Sequence, residues 1–202
     1  MATATVSARV ARSTRVGRFH GRDAVRVAHS RASASDDDAH SSAHRSFLGD
    51  WLRDPQRNQH VVAYLVAHGV GVTAVDRSRE RYAQTWCSSD SGVDGEFTVR
   101  TTSASGTDRT LTYVLSEDGF VESYKTSQIF GKEPGQVRRF AAFDAKTGTH
   151  EVRTESSLGR ETTTRTVSED GTEMTCVRRF ISNDPNHDID ITATERFVRP
   201  SA

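Results

Sequence analysis

Phe47-Leu48-Gly49-Asp50-Trp51, followed by Tyr64-Leu65 and then Gly69-Val70-Gly71-Val72, decides the fold, because these residues head a long series of strand signals. From Asn58 to His68 the apolar residues Val61, Val62, Tyr64, Leu65 and Val66 fit one short amphipathic helix. Gly69 is placed to end it in a left-handed cap. A second short helix runs from Val72 to Arg79. Beyond it, apolar and polar residues alternate with a turn signal about every ten residues, the pattern of an all-β barrel or sandwich. Strands are expected near 47–53, 80–88, 95–103, 108–116, 119–127, 136–144, 148–156, 160–168, 172–181 and 189–199. Turn pairs such as Asp94-Gly95, Asp118-Gly119 and Asp170-Gly171 supply the positive-φ residues that tight hairpins need.

The combination resembles the intracellular lipid-binding proteins of the calycin superfamily, which include the fatty-acid-binding and cellular retinoid-binding proteins. In that family a Gly-x-Trp strand enters a helix-turn-helix whose turn reads Gly-Val-Gly, and ten antiparallel strands close around an apolar ligand. The resemblance implies an all-β fold over residues 46–199: a ten-stranded antiparallel up-and-down β-barrel with a two-helix lid between strands one and two. It further implies a monomer that binds and transports a hydrophobic small molecule, a lipid, with no catalysis and no cofactor. Arg77, Arg79 and Arg81, with Lys125 and Lys132, would set positive charge around the lid for transient contact with a membrane surface. The competing reading of those residues is a solvated face neutralised by Asp76 and Glu80.

The C-terminal segments carry the expected site. Gly159 to Thr164, Ser168-Glu169-Asp170 and Met174-Thr175-Cys176-Val177 run like the family's last strands. Fatty-acid carriers hold the carboxylate with Arg-x-Tyr on the final strand and a second arginine two strands earlier. Read without gaps, that tyrosine is Phe197, the first arginine is Glu195 and the second is Thr166. Ile189, Ile191, Ala193 and Phe197 share one face of the last strand, so Glu195 points inward with them. A buried carboxylate is expensive unless paired, and Arg178, in parity with Met174 and Cys176, is the expected partner. The ligand-binding set is therefore Glu195, Phe197, Arg178, Cys176, Met174, Thr166, Thr164, Tyr113 and Phe97. A fatty-acid anion beside Glu195 would be repelled, so a neutral or hydroxylated head group is expected. Trp51 is read as core at the closed end, and no ligand role is assigned between 117 and 137.

Residues 1–35 hold seven arginines, a single acid (Asp23) and no long apolar run, which is organelle-targeting composition. The Ser/Ala-rich tract Ala28–Ser35 favours a plastid transit peptide, with the mitochondrial matrix as the alternative. Asp36-Asp37-Asp38 and the His40–His44 stretch read as a disordered linker over 36–45. The remainder carries twenty basic against twenty-six acidic residues, which removes the electrostatic basis for nucleic-acid binding. No stretch reaches the eighteen apolar residues of a membrane helix. Cys87 and Cys176 have no metal-type spacing and read as free thiols, with Cys176 packed inward.

Two other functions remain open on these residues. One is a plastid lipocalin-like barrel handling tetrapyrroles. The other is a small barrel isomerase or cyclase acting on an oxidised lipid, with Glu195 as acid or base and Arg178 as charge stabiliser. Neither a nucleophile–His–acid set nor a phosphate loop supports it, and His60 and His68 read as surface residues of the lid helix.

Overall fold

The computed structural model describes residues 42–124, 135–186 and 188–201. The Arg-rich segment 1–35, residues 36–41 of the expected linker and the end of the expected strand 119–127 lie outside them. Ten strands follow in order: β1 (Gly49–Arg53), β2 (Ala83–Ser88), β3 (Phe97–Thr102), β4 (Asp108–Tyr113), β5 (Phe120–Tyr124), β6 (Gly135–Asp144), β7 (Thr149–Glu155), β8 (Gly159–Val167), β9 (Glu173–Ser182) and β10 (Asp190–Val198). They form a single antiparallel sheet in the order β4-β3-β2-β1-β10-β9-β8-β7-β6-β5. Each strand except at the β4–β5 step lies beside its neighbour in sequence, and β1 closes on β10 through Leu52↔Val198 and Arg53↔Phe197. The sheet thus curls into a half-barrel. Among the described residues no ladder joins β4 to β5, and an isolated bridge links Leu115, just after β4, to Ala141 on β6.

Three α-helices precede β2, α1 over 42–47, α2 (Val61–Ala67) and α3 (Ala74–Arg79), with a short 3-10 helix at Pro55–Arg57. Helix α2 ends as its sequence requires. Gly69 adopts φ 79°, the Gly69 amide donates to the Val66 carbonyl (2.9 Å) and the Val70 amide to the Leu65 carbonyl (3.0 Å), a Schellman cap. Its apolar face, Val61, Tyr64 and Leu65, packs with Val70, Ala74, Phe180 and Ala193.

Helix α1 corrects the expected linker. His44 is buried and stacks on Phe97 at 4.6 Å. Its Nδ1 accepts from the Gly95 amide and its Nε2 faces Ser88 Oγ, both at 2.9 Å, so the ring is held as one neutral tautomer. A stretch with one large apolar residue, Phe47, is fixed as a helix by these tertiary contacts and not by an amphipathic pattern of its own.

Trp51 and Gly49 explain each other at the closed end of the sheet. Trp51 is fully buried and its Nε1 donates to the Phe47 carbonyl at 2.8 Å. The Arg199 guanidinium lies 3.7 Å over the Trp51 ring and donates to the carbonyls of Leu48 (2.7 Å), Ser46 (2.9 Å) and Gly171 (3.2 Å). Gly49 sits at φ 101°, and a Cβ there would meet Arg199 Nη1 at 2.9 Å. Only glycine permits that backbone beneath the arginine. Around this end Phe47, Trp86, Phe97, Met174, Cys176 and Phe197 form the main apolar core.

Candidate functional site

Between this core and the lid helices lies a cavity of about 270 Å³. Its apolar wall comes from both clusters, with Val99, Leu111 and Val152 on one side and Val61, Leu65 and Ala193 on the other. Its ionic lining is unusual for an apolar-ligand site: six arginines (Arg53, Arg77, Arg109, Arg139, Arg165 and Arg178) and three glutamates (Glu80, Glu161 and Glu195). The sheet puts them there by parity. Arg53 follows Trp51 by two residues, Glu161, Thr163 and Arg165 alternate along β8, and Arg178 and Glu195 keep the inward parity of β9 and β10.

Glu195 is met by two arginines, not one. Arg53 Nε lies 2.6 Å from Oε1 and Arg178 Nε 2.8 Å from Oε2, and Tyr82 donates its hydroxyl to Oε1 at 3.3 Å. Both contacts are at ion-pair distance, but neither Nε–H bond points along them. Burial alone would raise the Glu195 carboxyl; Arg178 and Arg53 outweigh it and hold the group below the usual carboxylate range. Arg53 also reaches outward. Its Nη1 donates to the carbonyls of Glu80 (2.7 Å), Ser78 (3.0 Å) and Arg77 (3.4 Å), closing the C-terminal end of α3.

A second network ties α2 to β8. Glu161 accepts from the Tyr64 hydroxyl and from Thr163 Oγ1 (2.8 Å), and His68 Nε2 lies 3.3 Å from its Oε2. His68 Nδ1 faces the Tyr64 carbonyl at 2.9 Å. Burial would raise the Glu161 carboxyl, but the His68 bond, the Arg178 charge and the Tyr64 bond bring it down to about 2. His68 is thus buried, not on the lid surface as expected.

The third group is Arg165. Its Nη1 donates to His150 Nδ1 (3.3 Å) and its Nη2 to the Tyr113 hydroxyl (3.4 Å), and its guanidinium lies 5.3 Å from the Tyr113 ring and 5.5 Å from that of Trp86. His150 is fully buried, and burial, then the Arg165 charge, push its pKa well below the usual value, so it adds no positive charge. Among the described residues no carboxylate pairs with Arg165.

Of the residues expected at the site, Glu195, Arg178 and Tyr113 line the cavity. Phe97, Met174, Cys176 and Phe197 lie in the apolar core beneath it. Thr164 and Thr166 occupy the outward parity of β8, and Thr166 is exposed. That is a correction of one residue. The stretch Gly159-Arg160-Glu161-Thr162-Thr163-Thr164-Arg165-Thr166-Val167 holds no apolar residue before Val167 to mark its inner face. Val167, partly buried against the core, shares the parity of Arg165 and was the available signal. Arg53, Tyr82, Glu161, His68 and His150 were not singled out as site residues at all; each is polar in a position that composition alone assigns to the surface.

No protein-family model matches the chain, and no curated protein sequence matches it. Solved structures do. A variant of the fluorescent protein UnaG superposes with a TM-score of 0.56 at 13% identity, over 78% of this chain and 99% of that one. As-p18, an extracellular fatty acid binding protein, gives 0.53 at 13% identity, over 77% and 96%. Secretory abundant heat soluble protein 4 from Ramazzottius varieornatus gives 0.52 at 10% identity, over 76% and 94%. At such identities the likeness is one of architecture: the chain has a fatty-acid-binding-protein-like fold of ten antiparallel strands.

Proposed function

We propose that the chain is a non-enzymatic carrier whose cavity takes a hydrophobic small molecule with an acidic head group, and that Arg165 meets the acid. The observation that carries this is the company Arg165 keeps. Arg53 and Arg178 share the carboxylate of Glu195, whereas Arg165 is buried with two neutral partners, His150 and Tyr113. A buried charge without a counter-ion is costly by several kcal/mol, and a ligand carboxylate supplies one in fork geometry. The neutral head group expected from sequence rested on repulsion by Glu195. Two arginines offset that charge, so Glu195 no longer argues against an anion, and Arg165 argues for one. The likeness to an extracellular fatty acid binding protein supports the same class of ligand.

Calorimetric titration with decanoic acid and decanol tests it. The acid should bind more tightly by about tenfold, roughly 1.4 kcal/mol, and Arg165→Gln should remove the difference. Equal affinities in the wild-type protein would defeat the reading.

Two further parts of the reading are proposals of the same kind. Exposed Val62, Val66, Val72 and Val75 on the lid, with Arg77 and Arg79 beside them, suit transient contact with an anionic membrane, which vesicle sedimentation measures. The composition of residues 1–35 suits plastid delivery, which a reporter fused to residues 1–45 would localise.

A further inference from the structure

Two ionic poles of the cavity stand on one row of the sheet. Arg165 on β8 and Glu195 on β10 are each the register partner of Cys176 on β9. Two strand spacings, about 10 Å, therefore separate their Cα atoms. Both side chains point inward and both line the cavity, yet they lean apart: Arg165 towards His150 and Tyr113, Glu195 towards Arg53, Arg178 and Tyr82. Cys176 between them belongs to the apolar core and carries no charge across the gap.

The Glu195 pole asks for a particular kind of group. Its carboxylate keeps lone-pair capacity beyond the contacts it makes, while Nε of Arg53 and of Arg178, though at ion-pair distance from it, complete no hydrogen bond. Acceptors and donors sit side by side. A hydroxyl satisfies both kinds at once, a carbonyl oxygen satisfies the donors alone, and a methylene would leave both facing hydrocarbon.

The cavity also limits length. Its roughly 270 Å³ falls just under the range usual for drug-sized ligands and equals about nine water volumes. A medium-length chain lies within it, whereas the far end of a long one would extend out of its open side.

We propose that the ligand is a compact hydroxy acid of medium chain length, its carboxylate on Arg165 and its distal hydroxyl between Glu195 and Tyr82. This rests on the assignment of the acid to Arg165. It goes beyond that assignment in naming a second polar group and the residues that select it.

Titration of the full chain near neutral pH with decanol, decanoic acid, ω-hydroxydecanoic acid, decanedioic acid and hexadecanoic acid separates the cases. The hydroxy acid should bind about tenfold more tightly than decanoic acid and ahead of the diacid, whose second carboxylate meets Glu195. Hexadecanoic acid should be the weakest of the acids. Tyr82→Phe should cut the hydroxy acid's advantage over decanoic acid by about threefold or more. A hydroxy acid no tighter than decanoic acid, or a diacid tighter than both, overturns the proposal; decanoic acid still ahead of decanol would then leave the role of Arg165 standing. Decanol equal to every acid overturns both together.

Discussion

What an arginine contributes to this chain depends on what meets its charge. Arg199 holds the closed end by three carbonyls and the Trp51 ring. Arg199→Ala should lower stability by about 2 kcal/mol, read from the denaturant midpoint, because it removes both the donors and the stacked cation. Arg199→Lys should recover little, since a point charge cannot reach three carbonyls in a plane. Beneath it, Gly49→Ala should cost more than about 1 kcal/mol, from positive φ together with the contact to Arg199. That glycine and that tryptophan were legible in the sequence as a motif, but the arginine that makes the motif necessary was not. It lies 150 residues from Gly49 in the chain, where no local pattern connects them. Arg165 was hidden for a different reason, standing in a polar strand with one apolar residue to set its face.

The elements were far easier to read than the site. Within the described residues the strands follow expectation to within a few residues, because alternation and turn glycines are local signals. Helix α1 was missed because its stability is borrowed from Ser88, Gly95 and Phe97. Helix α2 was found by its apolar face, but its polar attachment to β8 through Tyr64, His68 and Glu161 was not. That attachment should govern local opening of the lid. In Glu161→Gln, amide hydrogen exchange in Val61–Ala67 should speed up about tenfold while β9 and β10 keep their protection. Unchanged exchange in α2 would mean that the apolar contacts alone hold the lid.

Across the whole domain, burial of ionisable groups gives stability a defined pH slope. Glu161 and Glu195 have folded-state pKa values depressed below the ordinary 4.5, so their contribution is complete above that value and is lost as pH falls through the folded-state values, about 2 for Glu161. His150, and His44 with burial outweighing Asp94, are shifted the other way for a base. Below about 6.5 the unfolded chain takes up protons that the folded one refuses, so stability should begin to fall there. Thermal midpoints should decline gently below pH 6.5 and steeply below 4.5, and Glu161→Gln should flatten the lower limb. The overall fold was legible because a barrel repeats one simple rule; the charged interior was not, because that rule says only which way a residue points and not what it finds there. Arg53 shows what such an interior can transmit. One end of its guanidinium grips the carbonyl terminus of α3 and the other rests on Glu195. Floor and cover are thereby coupled like the two arms of a lever, and a displacement of Glu195 at the bottom of the cavity is felt as a pull on the helix at its top.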